Sequence, residues 1–205
     1  LMFFLLLLRM HIGFAMALTG FLGFAALTSF SAGFSMIGMV TFKTGASYAL
    51  TVIPLFILMG QLVNTSRMGF ELYQACYRFI GFLPGGLAMA TIAACACFAA
   101  ISGSSLATAA VMGMVALPEM KRFNYQDSLA TGAVAAGGTL GILIPPSTIM
   151  VIYGILTEQP IGALFIAGIL PGIMLTAMFL MTIMLLVKFN PALAPAAPGF
   201  LWRGR

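Results

Sequence analysis

The chain has 205 residues, of which 62% are hydrophobic and only 6% are charged, with nine Lys and Arg against four Asp and Glu. A soluble domain carries about 25% charged residues, so this composition excludes a water-soluble globule and indicates an integral membrane protein in the lipid bilayer. The net charge of +5 does not indicate nucleic-acid binding, because the basic residues stand at the ends of apolar runs and not along one face.

The first part of the chain predicts membrane spans followed by a surface helix. Residues 1–27 form an apolar first span that Arg9 and His11 interrupt, and residues 48–63 form a second apolar span. A short apolar stretch at 34–42 predicts an interfacial segment or part of a tilted helix. Residues 65–77 mix charged side chains with aromatic ones, which is typical of a helix lying at the membrane surface.

The next segment, residues 83–118, predicts a re-entrant helical hairpin. Its first residues, Leu83-Pro84-Gly85-Gly86, form a turn that starts a helix. Two apolar arms, 87–101 and 106–117, then flank the polar tip Ser102-Gly103-Ser104-Ser105. Each arm is shorter than the roughly 20 residues that cross a bilayer, which favours entry and exit by one face. Two short complete spans have the same parity and remain an alternative.

The segment 119–187 predicts a discontinuous helix and a last span. A small-residue helix over 128–141 stops at Gly141-Ile142-Leu143-Ile144-Pro145-Pro146-Ser147, resumes over 148–156, and is followed by a span over 161–187. Two successive prolines remove two amide donors and favour extended backbone before them. We therefore expect free carbonyls at Thr139, Leu140, Gly141 and Ile142.

The distribution of basic residues predicts the topology. If the hairpin enters and leaves by one side of the membrane, eight of the nine basic residues lie on a single side and only Lys43 lies on the other. The eight residues are Arg9, Arg67, Arg78, Lys121, Arg122, Lys188, Arg203 and Arg205. Because Lys and Arg near span ends favour the cytoplasm, that side is predicted to be cytoplasmic.

The two breaks in apolar helix, at the hairpin tip and before Ser147, predict a binding site. In hydrocarbon, non-helical backbone survives only when it is buried in protein or lines a watery cavity. Helix N-termini favour anions, and unwound carbonyls coordinate small hard cations. The tip can therefore hold both sodium and a carboxylate. The alternatives are close helix packing by small residues at the tip and a simple proline kink at the second break.

An enzymatic function is not expected. Ile101-Ser102-Gly103 is similar to the intramembrane serine nucleophile of rhomboid-type proteases, but Ala100 stands where a glycine is expected. The single histidine, His11, lies in the first span, and a serine without a placed base is a weak nucleophile. We expect no catalytic residue, no organic cofactor and no metal other than sodium.

Four segments form a characteristic set: Pro54-Leu55-Phe56-Ile57-Leu58-Met59-Gly60, Leu83-Pro84-Gly85-Gly86-Leu87-Ala88, Ala100-Ile101-Ser102-Gly103-Ser104-Ser105-Leu106-Ala107-Thr108-Ala109-Ala110, and Gly141-Ile142-Leu143-Ile144-Pro145-Pro146-Ser147. At these residues the sequence resembles the N-terminal half of the large membrane subunit of tripartite ATP-independent periplasmic (TRAP) transporters, the DctM-like family. Their order and spacing fit across nearly the whole chain.

The resemblance implies an all-α integral membrane bundle, one repeat of an inverted-repeat elevator transporter in the bacterial inner membrane. The implied activity is sodium-coupled import of organic acids such as dicarboxylates or sialic acids. The implied partners are a periplasmic substrate-binding protein, a small membrane subunit and the second half of the large subunit. The implied regions are scaffold-like spans at 1–82, the hairpin at 83–118, a transport-like part at 119–187 and a polar linker at 188–205.

The resemblance also implies the site residues. The sodium site would comprise Ser102, Gly103, Ser104, Gly141, Pro145 and Pro146. The organic acid would be bordered by Ser104, Ser105, Thr108 and Ser147.

Members of this family are longer than the present chain, which begins at Leu1 and reaches Trp202-Arg203 where the linker to a second repeat would start. We therefore expect the first half of a large subunit, contributing one sodium site and unable to transport alone. Two other functions remain open: a sodium-coupled anion carrier of related architecture without a binding protein, and a non-transporting remnant of a split gene.

Overall fold

The computed structural model describes residues 1–46 and 52–195, and the elements in these ranges are helices. The all-α membrane bundle predicted from the sequence is confirmed. The chain divides at residue 52 into two compact units, which are described separately here.

The first unit contains α1 (Met2–Leu7), α2 (Ile12–Leu27) and α3 (Phe30–Gly45). The interruption predicted at Arg9 and His11 is present, since Arg9 has a positive φ of 62° and α2 begins after His11. The helices α2 and α3 pack through Gly33, where a Cβ would lie 2.9 Å from the Phe21 ring.

The stretch 34–42 belongs to the 16-residue helix α3, which agrees with the predicted alternative that it is part of a helix. The helix starts earlier than this stretch, at Phe30. Ser29 caps the helix, accepting a hydrogen bond from the Ala32 amide at 3.2 Å. The first residues of the predicted second span, 48–51, lie outside the described ranges.

The second unit contains seven α-helices and a short 3₁₀ turn within the described residues: α4 (Val52–Thr65), α5 (Met68–Ile80), α6 (Gly86–Ser102), α7 (Ser105–Arg122), α8 (Asp127–Leu143), α9 (Thr148–Leu156), α10 (Ile161–Phe189) and the turn Pro191–Leu193. The helix α6 is central and packs against α5, α7, α8 and α10. It is apolar on every face, which is typical of a helix buried in protein or lipid. Leu87, Ile92 and Phe98 on α6 are accordingly at most 1% exposed.

Among the described residues, two stretches are long and apolar enough to span a membrane, Asp127–Leu156 and Ile161–Phe189. The first contains both α8 and α9, so the discontinuous helix lies within one predicted span. The helix α5 exposes Arg67, Glu71 and Arg78 and buries Tyr73, which fits the surface helix predicted there. The arms α6 and α7 pack as an antiparallel pair, and their re-entrant placement in a bilayer stays a prediction.

The predicted boundary of the scaffold-like region at residue 82 stays a prediction as well. In the structure, α4 and α5 belong to the same compact unit as the hairpin, because both pack against α6 and α7.

Tyr125 holds the start of α6 against the loop between α7 and α8. Its hydroxyl accepts a hydrogen bond from the Leu87 amide at 3.3 Å. Burial raises the pKa of Tyr125, so the hydroxyl stays protonated.

Three glycines on one face of α8 allow the hairpin to approach it closely. A Cβ on Gly137 would lie 2.6 Å from Cys95 Sγ, and one on Gly138 would lie 2.8 Å from Ala109 Cβ. A Cβ on Gly141 would lie 2.7 Å from the Ser104 carbonyl. These glycines set the distance between α8 and both arms of the hairpin.

The close approach of α8 to α6 predicts a position-specific loss of stability. Gly137→Ala introduces a Cβ into Cys95 and should destabilise the protein by about 1–3 kcal/mol, the usual cost of overpacking. The matched change Gly132→Ala on the same helix meets nothing within 4 Å and should leave stability unchanged or slightly raised. The measurement is the fraction of protein that remains monodisperse in detergent after heating. Equal losses in the two variants would contradict this packing.

Candidate functional site

The hairpin tip turns at Gly103, which adopts a left-handed conformation with φ 60° and ψ 16°. Its amide donates to the Ala99 carbonyl at 3.0 Å and so ends α6. A Cβ at Gly103 would lie 2.5 Å from the Pro146 carbonyl oxygen. Glycine is therefore required twice, for the backbone conformation and for the close approach of the second break.

The second arm of the hairpin starts at Ser104, whose backbone is extended with φ −135° and ψ 123°. Its hydroxyl accepts a hydrogen bond from the Ala107 amide at 3.4 Å and caps α7. The tip therefore presents the C-terminal carbonyls of one helix beside the N-terminal amides of the next.

The second break begins after Leu143, where α8 ends, and Ile144 is extended with ψ 123°. The chain passes through Pro145 and Pro146, which are joined by a cis peptide bond. Ser147 then caps α9 by accepting a hydrogen bond from the Met150 amide at 3.5 Å. This break has the same form as the tip, a helix C-terminus followed by a serine-capped N-terminus.

Two of the free carbonyls predicted at this break are wrong. The helix α8 continues to Leu143, so the Thr139 carbonyl keeps its helical donor. The Ile144 amide donates to the Leu140 carbonyl at 2.8 Å, so that carbonyl is not free either. The residues four positions after Gly141 and Ile142 are Pro145 and Pro146, which carry no amide proton. The carbonyls of Gly141 and Ile142 therefore lack the usual helical donor.

The structure brings the two breaks into direct contact. The Thr148 amide donates to the Gly103 carbonyl at 3.3 Å, and the Thr148 hydroxyl donates to the same oxygen at 3.2 Å. Gly141 lies against the backbone between Ser104 and Ser105, as its missing side chain requires. Four helix ends meet at this point: the C-termini of α6 and α8 and the N-termini of α7 and α9.

Three hydroxyl residues at the site, Ser102, Thr108 and Ser147, are at most 1% exposed. The Thr108 hydroxyl donates to the Ser104 carbonyl at 2.8 Å, so its single proton is used. The contact of 3.0 Å between Ser102 Oγ and Thr108 Oγ1 therefore has Ser102 as the donor. This chain of hydrogen bonds fixes the tip, and Ser102 faces a hydroxyl where a nucleophile would need a base.

The remaining predicted site residues are more accessible. Ser104, Ser105, Pro145 and Pro146 are half-buried, whereas Gly103 and Gly141 are buried in the contact between the breaks. The predicted sodium residues and substrate residues thus lie in one cluster, and whether they bind these ligands stays a prediction.

A cavity of about 210 Å³ opens beside the tip. Its walls come from α4, the hairpin and α9, and the lining residues are Ile53, Phe56, Ile57, Gly60, Gln61, Ser102, Ser104, Ala107, Thr148 and Ile152. The sequence pattern of α4 does not by itself place this helix at the site. The available signal was Gly60, since a glycine in an apolar helix often marks a close approach. In the structure a Cβ on Gly60 would lie 3.3 Å from the Ser102 carbonyl oxygen.

The chemical groups at the cluster are neutral oxygens and helix dipoles. No group of three or more His, Cys, Asp or Glu within the described ranges is placed to hold a metal ion. Backbone carbonyls and hydroxyls are ligands that suit a hard cation and not a transition metal. The two N-termini favour an anion, so a small cation and a carboxylate can be held side by side.

Comparison with known proteins gives the relationship of the chain. A family model described as the DctM component of the tripartite ATP-independent periplasmic transporter matches residues 1–199. The C4-dicarboxylate TRAP transporter large permease protein DctM of Pseudomonas aeruginosa is 41% identical over 157 residues, which are 77% of this chain and 36% of the relative.

Two further relatives carry other substrate names. The isethionate TRAP transporter permease protein DctMQ of Oleidesulfovibrio alaskensis is 38% identical over 78% of this chain and 26% of its own length. The sialic acid TRAP transporter large permease protein SiaM of Vibrio cholerae is 33% identical over 83% of this chain and 39% of its own length. The chain therefore spans well under half the length of these relatives.

The contact between tip and break predicts that residue 103 tolerates no side chain. Gly103→Ala forces an alanine into a left-handed backbone and against the Pro146 carbonyl, and should destabilise the protein by about 2–4 kcal/mol. Gly113→Ala in α7 is the matched control, because its Cβ would meet Val134 at an ordinary 3.6 Å. Thermal aggregation of both variants in detergent measures the difference. A Gly103→Ala variant as stable as Gly113→Ala would contradict the contact.

Proposed function

The chain belongs to the DctM family of tripartite ATP-independent periplasmic transporter components, and from this we propose that it forms part of a sodium-coupled permease that imports organic acids. It is a transport protein and not an enzyme, as the family and the names of its relatives indicate. The observation that carries the proposal is the contact of two broken helices, in which Thr148 donates twice to the Gly103 carbonyl. Secondary carriers form their sites on pairs of such elements.

The sodium site of this proposal consists of Ser102, Gly103 and Ser104 at the tip with Gly141, Pro145 and Pro146 at the break. The support is the neutral oxygen environment and the carbonyls that lack helical donors. Because the Gly103 carbonyl already accepts two hydrogen bonds, Gly103 contributes mainly the turn that directs its neighbours. Bound sodium supplies a positive charge beside the C-termini of α6 and α8.

The substrate residues of this proposal are Ser104, Ser105, Thr108 and Ser147. Ser104 and Ser105 are accessible and present the N-terminus of α7, which favours a carboxylate. Thr108 and Ser147 are buried and act by holding the backbone of the tip and of α9. A small organic acid with carboxylates, of the C4-dicarboxylate or sialic-acid class, fits these groups.

The proposed setting is the bacterial inner membrane, with the chain spanning it several times. The proposed partners are a periplasmic binding protein that delivers the substrate, a small membrane subunit and the second repeat of the large subunit. We further propose an elevator mechanism in which the hairpin and the broken helix move together. The tight glycine contacts of α8 with both hairpin arms support movement as one body.

The function is tested by transport in liposomes. The full product of the gene is reconstituted with the small subunit, and uptake of radiolabelled succinate is followed after addition of the binding protein. We expect uptake only with an inward sodium gradient and only with the binding protein. Equal uptake with potassium would refute sodium coupling, and uptake without the binding protein would indicate an anion carrier that works alone.

A substitution at the break tests the sodium site. Gly141→Ala places a Cβ 2.7 Å from the Ser104 carbonyl and should displace a sodium ligand. We expect the sodium concentration for half-maximal uptake to rise about tenfold or more, which corresponds to a loss of about 1.4 kcal/mol in the free energy of sodium binding. Gly132→Ala lies on the same helix, meets no neighbour and should behave as the wild type. An unchanged sodium dependence in Gly141→Ala, with normal amounts of folded protein, would contradict the assignment.

A further inference from the structure

Gln61 is the single polar residue between Ile53 and Val63 in the helix α4. A carboxamide in contact with hydrocarbon loses its hydrogen bonds to water, which costs free energy. Polar side chains in membrane helices therefore face protein partners or a water-filled cavity. The carboxamide of Gln61 consequently needs a polar partner, which can be a group of the protein, a bound molecule or water.

The structure places Gln61 on the wall of the cavity beside the hairpin tip, which Ser104 and Thr148 also line. The neighbouring residue Gly60 is buried, and its lack of a side chain lets α4 pass close to the Ser102 carbonyl. The helix α4 is therefore held directly against the tip, and Gln61 is exposed on the open side of this contact.

The cavity beside Gln61 is lined by helix N-termini, which favour an anion, and by Ser102 at the C-terminal end of α6. Ala107 lies in the first turn of α7, and Thr148 is the first residue of α9, so the N-termini of two helices contribute to the same cavity. The Gly103 carbonyl nearby is occupied by both donors of Thr148. The described residues that line the cavity include no charged side chain, so the carboxamide of Gln61 is a neutral donor that can orient a carboxylate there.

The apolar part of the cavity completes the site. Ile53, Phe56 and Ile57 line the same space on α4. Their side chains suit the carbon chain of a small organic acid in this space of about 210 Å³.

We propose that Gln61 is a substrate-positioning residue, whose Nε2 donates a hydrogen bond to a carboxylate of the transported organic acid in the cavity between α4 and the hairpin tip. This inference rests on the proposed function and extends it to an element outside the two broken helices. The helix α4 then determines which acids are accepted, through one polar contact and three apolar side chains.

The test compares three variants in the succinate uptake assay. Gln61→Met keeps the length of the side chain and removes its hydrogen bond to the charged carboxylate. We therefore expect KM for succinate to rise about tenfold and kcat to stay within about twofold of the wild type. Gln61→Glu places a negative charge beside the carboxylate and should raise KM further. Gln61→Asn keeps the donor and should recover part of the loss.

Two controls give the result its meaning. Leu62→Met changes the adjacent residue, which is 63% exposed and does not line the cavity, and should leave KM unchanged. The sodium concentration for half-maximal uptake should be the same in all variants. If Gln61→Met or Gln61→Glu changes the sodium dependence and not KM, Gln61 is an ion ligand and the proposal is wrong.

The failure of this inference differs from the failure of the proposed function. If the wild type takes up succinate with sodium and both Gln61→Met and Gln61→Glu have the wild-type KM, only the proposed role of Gln61 is overturned. No sodium-driven uptake by the wild type overturns the proposed function and the inference together. If Gln61→Met does not assemble, Gln61→Asn and Gln61→Glu still give the same two readouts.

Discussion

The structure depends on the hydrogen-bonding needs of backbone that leaves the helix inside an apolar bundle. Each break exposes carbonyls and amides that hydrocarbon cannot satisfy. The protein meets this need by placing the two breaks against each other, so that Thr148 bonds the Gly103 carbonyl through both its amide and its hydroxyl. Serines at 104 and 147 cap the helices that restart. Some carbonyls remain without a helical donor, and these are the groups available to a ligand.

The close packing around the breaks follows from the absence of side chains at a few positions. The central helix α6 packs against α5, α7, α8 and α10, and the hairpin approaches α8 most closely where α8 carries glycine. On the opposite side, a Cβ on Gly168 or Gly172 of α10 would approach Leu143 and Ile144 within 2.8 Å. The backbone of the break is therefore enclosed by glycines on two helices, and its geometry is determined by packing as much as by its prolines.

Much of this arrangement could be predicted from the sequence, because polar residues and prolines are rare in an apolar chain and mark the breaks clearly. The resumption of the helix at Thr148 and the last helix from Ile161 agree with the predicted residues. The end of α8 was placed too early, since proline constrains chiefly the residue directly before it. Ile144 is extended, while Gly141, Ile142 and Leu143 remain helical. The part played by α4 could not be predicted, because which helix lies against the tip depends on tertiary packing and not on the pattern within α4.

The paired bonds from Thr148 to Gly103 also bear on how a carrier of this kind could avoid leaking ions. Opening the space between tip and break would break both bonds at once and leave the Gly103 carbonyl unpaired in a dry interior. The tip and the break are thus an unsuitable place for a gate. In the proposed function, access to the site is then controlled elsewhere than between the tip and the break.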